Sequence, residues 1–160
     1  MKEIEIKINQ SDLRALLSTF NKMGKAANRD LRKASYQIAK NTATELKLSA
    51  LAAGSIGGNS NQAEAVATGI KAKSDRLPKI KISGDEQVAS GGASVEDLLW
   101  GAEFGSTRFR RFPPRSPREG RGNRGYFIYP TLKRLQPRIR KQWVEAVNQV
   151  ADIWRAANNG

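Results

Sequence analysis

The sequence contains neither cysteine nor histidine. Without cysteine the chain has no disulfide bond, no thiolate metal ligand and no thiol nucleophile. Without histidine it has no Ser-His-Asp triad, no imidazole general base and no histidine-ligated zinc. The acidic residues are scattered and show no metal-ligand spacing. We therefore expect a protein that is not an enzyme and that uses no cofactor or metal.

Long apolar runs are also missing. No stretch of about 18 apolar residues occurs, which excludes a membrane-spanning helix of ordinary type. The first residues, MKEIEIKI, alternate between apolar and charged side chains and do not form the apolar core of a signal peptide. These features predict a chain that is made and kept in a cytoplasm-like compartment and does not contact a membrane core.

Acidic residues are few. The 160-residue chain carries 28 lysines and arginines against 15 acidic residues, a formal net charge of +13. Its length favours a single domain, 1–160, with a genuine core. The charge indicates a partner of negative potential, either nucleic acid, an anionic membrane surface or an acidic protein face.

Alternating segments predict a small sheet. Residues 2–8 (KEIEIKI) and 78–83 place isoleucines on one face and charges on the other, and 86–90 and the YFIY segment at 126–129 are further strand candidates. Between the first two lies AEAVATGIKAK, which is either a short helix or a segment that orders on binding. Residues 54–62, GSIGGNSNQ, have the composition of a flexible linker.

Helical spacing recurs elsewhere. Two N-terminal helices are predicted on either side of Gly24, the second with a stripe rich in alanine and threonine. A short helix capped by Ser94 is expected to stop near Gly101. A long amphipathic helix is predicted from Thr131 to about residue 157, with Pro137 in or near its first turn. The predicted fold class is α+β: a small antiparallel sheet packed by N-terminal helices and a long C-terminal amphipathic helix, with an extended basic loop.

The basic loop, residues 105–125, is far longer than ordinary connections. Its arginines are Arg108, Arg110, Arg111, Arg115, Arg118, Arg121 and Arg124. Three readings are open: a mobile solvated loop, a nucleic-acid grip in which aromatics interleave with arginines, or an arm that docks on other proteins. Phe109 and Phe112 speak against a fully solvated loop, and no known nucleic-acid-binding motif accompanies the arginines.

A second basic cluster lies in the first half of the last helix, at Lys133, Arg134, Arg138, Arg140 and Lys141. Cations near a helix N-terminus oppose the helix dipole. The cluster therefore suggests that an external acidic surface compensates it. Trp143 and Trp154, on the apolar side of this helix, are expected in the core.

The two segments that flank the loop carry a family resemblance. Glu-Phe-Gly-Ser at 103–106, a basic proline-containing stretch, and YFIYPTL at 126–132 opening a long helix resemble the tail-component or neck (head-tail connector) proteins of long-tailed bacteriophages, most of all forms from phages of actinobacteria. The matching residues are Glu103, Phe104, Gly105, Ser106, Phe127, Pro130, Thr131 and Leu132. The resemblance covers about residues 98–157, and the arginine density of 108–124 is higher than the family pattern has.

The resemblance implies a structural virion protein at the head-to-tail junction, assembled in the host cytoplasm as a homo-oligomeric ring around the DNA channel. Implied partners are further copies of the chain, connector or stopper proteins, tail-terminator or tail-tube proteins, and packaged DNA. A tail-completion or tail-terminator subunit is the alternative within this class, and a non-specific nucleic-acid-binding protein is the alternative of another class. The predicted interface comprises Glu103, Phe104, Gly105, Phe109, Phe112, Tyr126, Phe127, Tyr129 and Pro130, together with the seven loop arginines as a basic contact surface.

Overall fold

The computed structural model describes residues 10–56, 60–84, 87–88, 91–106, 108, 112 and 127–159. Within these ranges the chain forms five α-helices and one two-stranded antiparallel sheet, which confirms the predicted α+β class. In chain order the elements are α1 (Gln10–Lys22), α2 (Lys25–Ile56), α3 (Ser60–Thr68), β1 (Ile70–Lys73), β2 (Lys79–Ile82), α4 (Val95–Phe104) and α5 (Ile128–Asn158).

The first two helices are separated at Gly24, as predicted. The side-chain amide of Asn28, in the first turn of α2, donates hydrogen bonds to the carbonyl oxygens of Phe20 (2.8 Å) and Met23 (3.2 Å). These carbonyl groups lie at the end of α1, where no later N–H group of the helix is available to donate to them. One side chain of α2 therefore fixes the corner between the two helices.

The two long helices, α2 and α5, lie antiparallel along each other. The hydroxyl groups of Ser49 and Thr131 are 2.8 Å apart near the start of α5, and Trp143 bonds to Ser35 further along. The predicted apolar stripe of α5 is confirmed, since Leu135, Ile139, Trp143, Val147 and Val150 are buried. Trp154, near the end of the helix, is only partly buried.

Buried side chains form two clusters, one toward each end of this helix pair. The first joins the C-terminal half of α2 to α3, the sheet, α4 and the start of α5. The second joins the N-terminal half of α2 to α1 and the rest of α5. Alanines at 39, 43 and 50 of α2 supply the small surface that lets α3 and the sheet approach closely.

A hydrogen-bonded group ties the sheet's connecting turn to both long helices. The indole Nε1 of Trp143 donates to Ser35 Oγ (3.2 Å) and to the carbonyl oxygen of Arg76 (3.0 Å). Ser35 Oγ donates to the same carbonyl at 2.7 Å. Because Trp143 has no exposed surface, its N–H needs such a partner.

The sheet is only partly as predicted. β2 confirms the strand expected at 78–83, and it pairs with β1 so that Ile70 lies opposite Ile82. The helix considered for AEAVATGIKAK ends at Thr68 and gives way to β1. The strand predicted at 2–8 lies outside the described residues. Of 86–90 the structure describes 87–88, and Gln87 forms an isolated bridge with Ser94.

The strand predicted at the YFIY segment is wrong for the residues that the structure describes. There α5 already begins at Ile128, three residues before the predicted start at Thr131. Tyr126 lies outside the described residues. Pro137 consequently falls in the third turn of α5 and not in its first, with its ring exposed on the helix surface.

Two other boundaries differ from prediction. Residues 54–56 end α2 and 60–62 begin α3, so most of the linker expected at 54–62 is helical, while 57–59 lie outside the described part of the chain. α4 continues past Gly101 to Phe104. At its start Ser94 and Asp97 form a reciprocal capping box, and the hydrogen bonds from the Ser94 backbone and hydroxyl lower the pKa of the Asp97 carboxyl.

Candidate functional site

The site is organised by one buried carboxylate, that of Glu103 in the last turn of α4. Its Oε2 accepts hydrogen bonds from the backbone N–H groups of Phe127 (3.1 Å) and Ile128 (2.9 Å), and its Oε1 accepts from that of Tyr129 (2.8 Å). Only 3% of Glu103 is exposed. The carboxylate therefore caps the N-terminus of α5 from another helix.

This arrangement accounts for every orphan donor at that terminus. The first four N–H groups of a helix have no acceptor within it. Glu103 accepts three of them, and the fourth position is Pro130, which has no N–H. The negative charge also lies at the positive end of the dipole of a 31-residue helix. This cap is the physical reason that Ile128 and Tyr129 are helical and not part of a strand.

Gly105 turns the chain away from α4. Its backbone has φ 72° and ψ 177°, a conformation that is essentially restricted to glycine. Its N–H donates to the carbonyl oxygen of Gly101 at 2.8 Å, and the next N–H, of Ser106, donates to the carbonyl of Phe112 at 2.7 Å. The chain thus returns toward α4 within a few residues.

Phe112 packs on α4 at Gly101. A Cβ atom added to Gly101 would lie 2.7 Å from the Phe112 ring, closer than any real contact. Glycine inside the helix therefore makes room for this aromatic side chain. The partly buried Phe112 joins the first core cluster, in line with the expectation that the loop's phenylalanines seek burial.

Three aromatic side chains form a row on the surface above the cap: Trp100, Phe104 and Tyr129. The rings of Trp100 and Phe104 are stacked, with centroids 5.7 Å apart and planes 9° apart. Tyr129 meets Phe104 at 5.8 Å with a 59° tilt. Trp100 is 42% exposed and Tyr129 is 53% exposed. We call these three residues the aromatic row.

The predicted interface residues divide by depth. Glu103 and Phe127 are buried and hold the two segments together. The part of the set that reaches the surface comprises Phe104, Gly105, Phe112, Tyr129 and Pro130. Arg108 is exposed, and its N–H donates to Ser106 Oγ at 3.2 Å. Predicted residues outside the described part of the chain are Phe109, Tyr126, Arg110, Arg111, Arg115, Arg118, Arg121 and Arg124.

Trp100 was not among the predicted interface residues. Its spacing of four from Phe104 places the two rings on one side of a helix, and that signal was present in the sequence. The contact of Tyr129 with Phe104 had no such signal, because it depends on how α5 meets α4.

The basic cluster of α5 finds part of its compensation inside the molecule. Glu45 of α2, with a side chain 28% exposed, forms ion pairs with Arg138 and, at 3.9 Å, with Arg134. Lys141 lies 4.0 Å from Glu145 on the same helix. An external acidic surface is therefore not the sole compensation for this cluster.

The aromatic row places part of the site on the surface of the molecule. Within the described ranges no group of three or more acidic side chains could hold a metal ion. None of the described helices combines the length and apolar character required to cross a bilayer. Comparison with protein families, with characterised proteins and with solved structures finds no match to this chain.

Proposed function

We propose that the protein is a non-enzymatic structural subunit of a bacteriophage virion, located at the head-to-tail junction and assembled as a ring around the DNA channel. One observation carries the proposal. The two segments that resemble the neck and tail-component proteins, Glu103-Phe104-Gly105 and Phe127–Leu132, are joined by three hydrogen bonds, and the junction displays an aromatic row.

The aromatic row has the properties of a protein-docking surface. Trp and Tyr are enriched at the centres of protein interfaces, where they bury a large area at little cost in conformational entropy. Here two such rings are about half exposed: Trp100 stacks on Phe104, and Tyr129 contacts the same ring at a tilt of 59°. Their backbones belong to two helices that the buried Glu103 carboxylate joins, so little further conformational freedom is lost on binding.

In the sequence, the arginine-rich segment begins at Arg108, four residues after Phe104 of the aromatic row. Arginine forks bind carboxylates in bidentate geometry, and arginine also stacks on aromatic faces. We therefore propose that the row and the loop arginines together contact adjacent subunits of the ring and acidic connector or tail proteins.

Self-assembly of the purified chain tests the proposal. Light scattering coupled to size exclusion, followed by negative-stain microscopy, is expected to show closed rings. The double substitution Trp100→Ala/Tyr129→Ala is expected to weaken association at least tenfold, since truncation of an interface anchor costs about 2 kcal/mol or more.

The matched control is Tyr36→Ala/Ile153→Ala, which truncates two residues that are 40% and 62% exposed on other parts of α2 and α5. It is expected to leave assembly unchanged. A chain that stays monomeric at every concentration, or a control that disrupts assembly as strongly as the row variant, contradicts the proposal. A tail-completion or tail-terminator subunit would assemble in the same way and would differ in which virion protein it retains.

A further inference from the structure

The long helix α2 carries a stripe of exposed cations along one side. Its members, which we call the α2 stripe, are Lys25, Arg29, Lys33, Lys40 and Lys47, and each of them is exposed. They follow one another at intervals of four or seven residues, spacings that return to the same side of a helix. Arg32, which is exposed as well, adds a sixth cation beside the stripe.

Ion pairs compensate little of this charge. The guanidinium of Arg29 lies 3.7 Å from the carboxylate of Asp30. Within the part of the chain that the structure describes, no ion pair is formed by the other four members, Lys25, Lys33, Lys40 and Lys47. The basic cluster of α5 differs, because Glu45 and Glu145 lie within ion-pair distance of three of its members.

The stripe concentrates positive charge at a cost to the helix itself. Arg29 lies four residues from both Lys25 and Lys33, and like charges at this spacing destabilise a helix. Lys25 also lies in the first turn of α2, which contains no acidic residue, so its charge opposes the helix dipole. Such a row is unfavourable in the free chain and becomes favourable when an external polyanion lies along it.

We propose that the α2 stripe binds the phosphate backbone of double-stranded DNA. From Lys25 to Lys47 the helix rises by about 33 Å. Duplex DNA presents one negative charge per about 1.7 Å of its axis over any such length. Contacts of this type hold the backbone and do not depend on base sequence. The choice of duplex DNA rests on the proposed function, in which a ring surrounds a DNA channel.

The composition and the setting of the stripe weigh against two other partners. All its members but one are lysine, a point charge without the planar fork that recognises carboxylates, and lysine is depleted at protein interfaces. An acidic protein would also need a row of carboxylates over the same length, whereas duplex DNA carries such a row by its nature. Basic amphipathic helices bind membranes by inserting an apolar face, and the apolar face of α2 is buried in both core clusters.

The substitution Lys33→Gln/Lys40→Gln tests the proposal. Glutamine has a helix propensity close to that of lysine, and the change removes the like-charge pair of Lys33 with Arg29, so the variant is expected to melt no lower than the wild-type chain. Its affinity for a short random-sequence duplex, measured by fluorescence anisotropy at low salt, is expected to fall at least about tenfold. Each lost phosphate contact reduces the steepness of log K against log salt by about 0.9, so the slope should become shallower by about 2.

The control is Lys133→Gln/Lys141→Gln, which makes the same change in net charge at exposed positions of α5. It is expected to bind the duplex more tightly than the stripe variant. Equal losses of affinity in the two variants overturn the proposal, because binding then depends on net charge alone. Unchanged binding by the stripe variant overturns it, and so does a wild-type chain that does not bind the duplex.

Polyglutamate and phosphatidylserine vesicles test the two other partners. The wild-type chain is expected to bind both of them more weakly than it binds duplex DNA. Binding to either probe that is as tight as to the duplex, and that Lys33→Gln/Lys40→Gln weakens as strongly, overturns the assignment of the stripe to DNA.

Ring formation provides a separate readout. The stripe variant is expected to assemble like the wild-type chain, since the aromatic row is untouched. If rings form but the stripe substitution does not change DNA binding, only the inference about the α2 stripe fails. If no rings form but DNA binding depends on Lys33 and Lys40, the inference stands and the proposed function fails.

Discussion

Glu103 joins two parts of the chain that are distant in the sequence. Its carboxylate bonds to backbone groups 24, 25 and 26 residues later in the sequence. A buried carboxylate is tolerated only where hydrogen bonds and favourable charge replace its hydration. Here three N–H donors and a helix dipole supply both. The joint presence of the Glu-Phe-Gly segment and the Pro-Thr-Leu segment in the sequence thus has a structural cause.

Glu103→Gln tests this role. Glutamine keeps the shape of the side chain but removes the charge and replaces one acceptor oxygen with an NH2 donor that faces backbone donors. The substitution should lower the free energy of unfolding by about 2 to 4 kcal/mol, since hydrogen bonds to a charged group are lost and a buried donor is left unsatisfied. Urea denaturation followed by far-UV circular dichroism measures the change.

The control for this substitution is Glu96→Gln on the same helix, where the side chain is only partly buried. Substitutions at such positions usually change stability by no more than about 0.5 kcal/mol. Equal effects of the two substitutions would show that Glu103 contributes through general charge and not through the cap.

At the scale of elements, α5 and β1 show what the sequence could predict. The stripe from Leu135 to Val150 repeats every three or four residues over many turns, so both its helix and its buried face were predictable. The four residues of β1, IKAK, follow directly on a helical run and are too short for periodicity to separate strand from helix. Its partner β2 had the same pattern but was preceded by Pro78, which made the boundary visible.

The candidate site was predictable in its members and not in its geometry. The residues of the two flanking segments could be named, but nothing in the pattern indicated that one of them accepts the first N–H groups of α5. Local sequence favours a strand for aromatic and β-branched residues such as YFIY. The tertiary cap from Glu103, together with Pro130 in the first turn, overrides that preference.

Trp143→Phe is the prediction that belongs to the elements, because this indole links α2, α5 and the turn between the strands. The substitution removes both hydrogen bonds of Nε1 and leaves a small cavity in a site without exposed surface. It should cost about 2 to 4 kcal/mol and should raise the hydrogen-exchange rates of the amides in Lys79–Ile82.

The matched comparison is the substitution Trp154→Phe, at a partly buried residue of the same helix that packs against the same core cluster. It should cost less and leave the strand amides protected. Two results would contradict the proposed link between the hairpin and the helices: faster hydrogen exchange of the strand amides in the Trp154 variant, or an unchanged exchange rate in the Trp143 variant.

At the scale of the whole molecule, the net charge of +13 opposes the approach of identical chains. The aromatic row offers attraction through aromatic side chains, which added salt does not screen. Association through the row should therefore strengthen when salt screens the charge repulsion between chains.

Raising the ionic strength from about 10 to about 100 mM shortens the Debye length from about 30 to about 10 Å and screens the repulsion between chains. The fraction of assembled chain, measured by analytical ultracentrifugation at fixed protein concentration, should rise over this range. Trp100→Ala/Tyr129→Ala should show a smaller assembled fraction than the wild-type chain at both salt concentrations. Assembly that dissolves as salt is added would mean that ion pairs between copies, and not the aromatic row, hold the ring together.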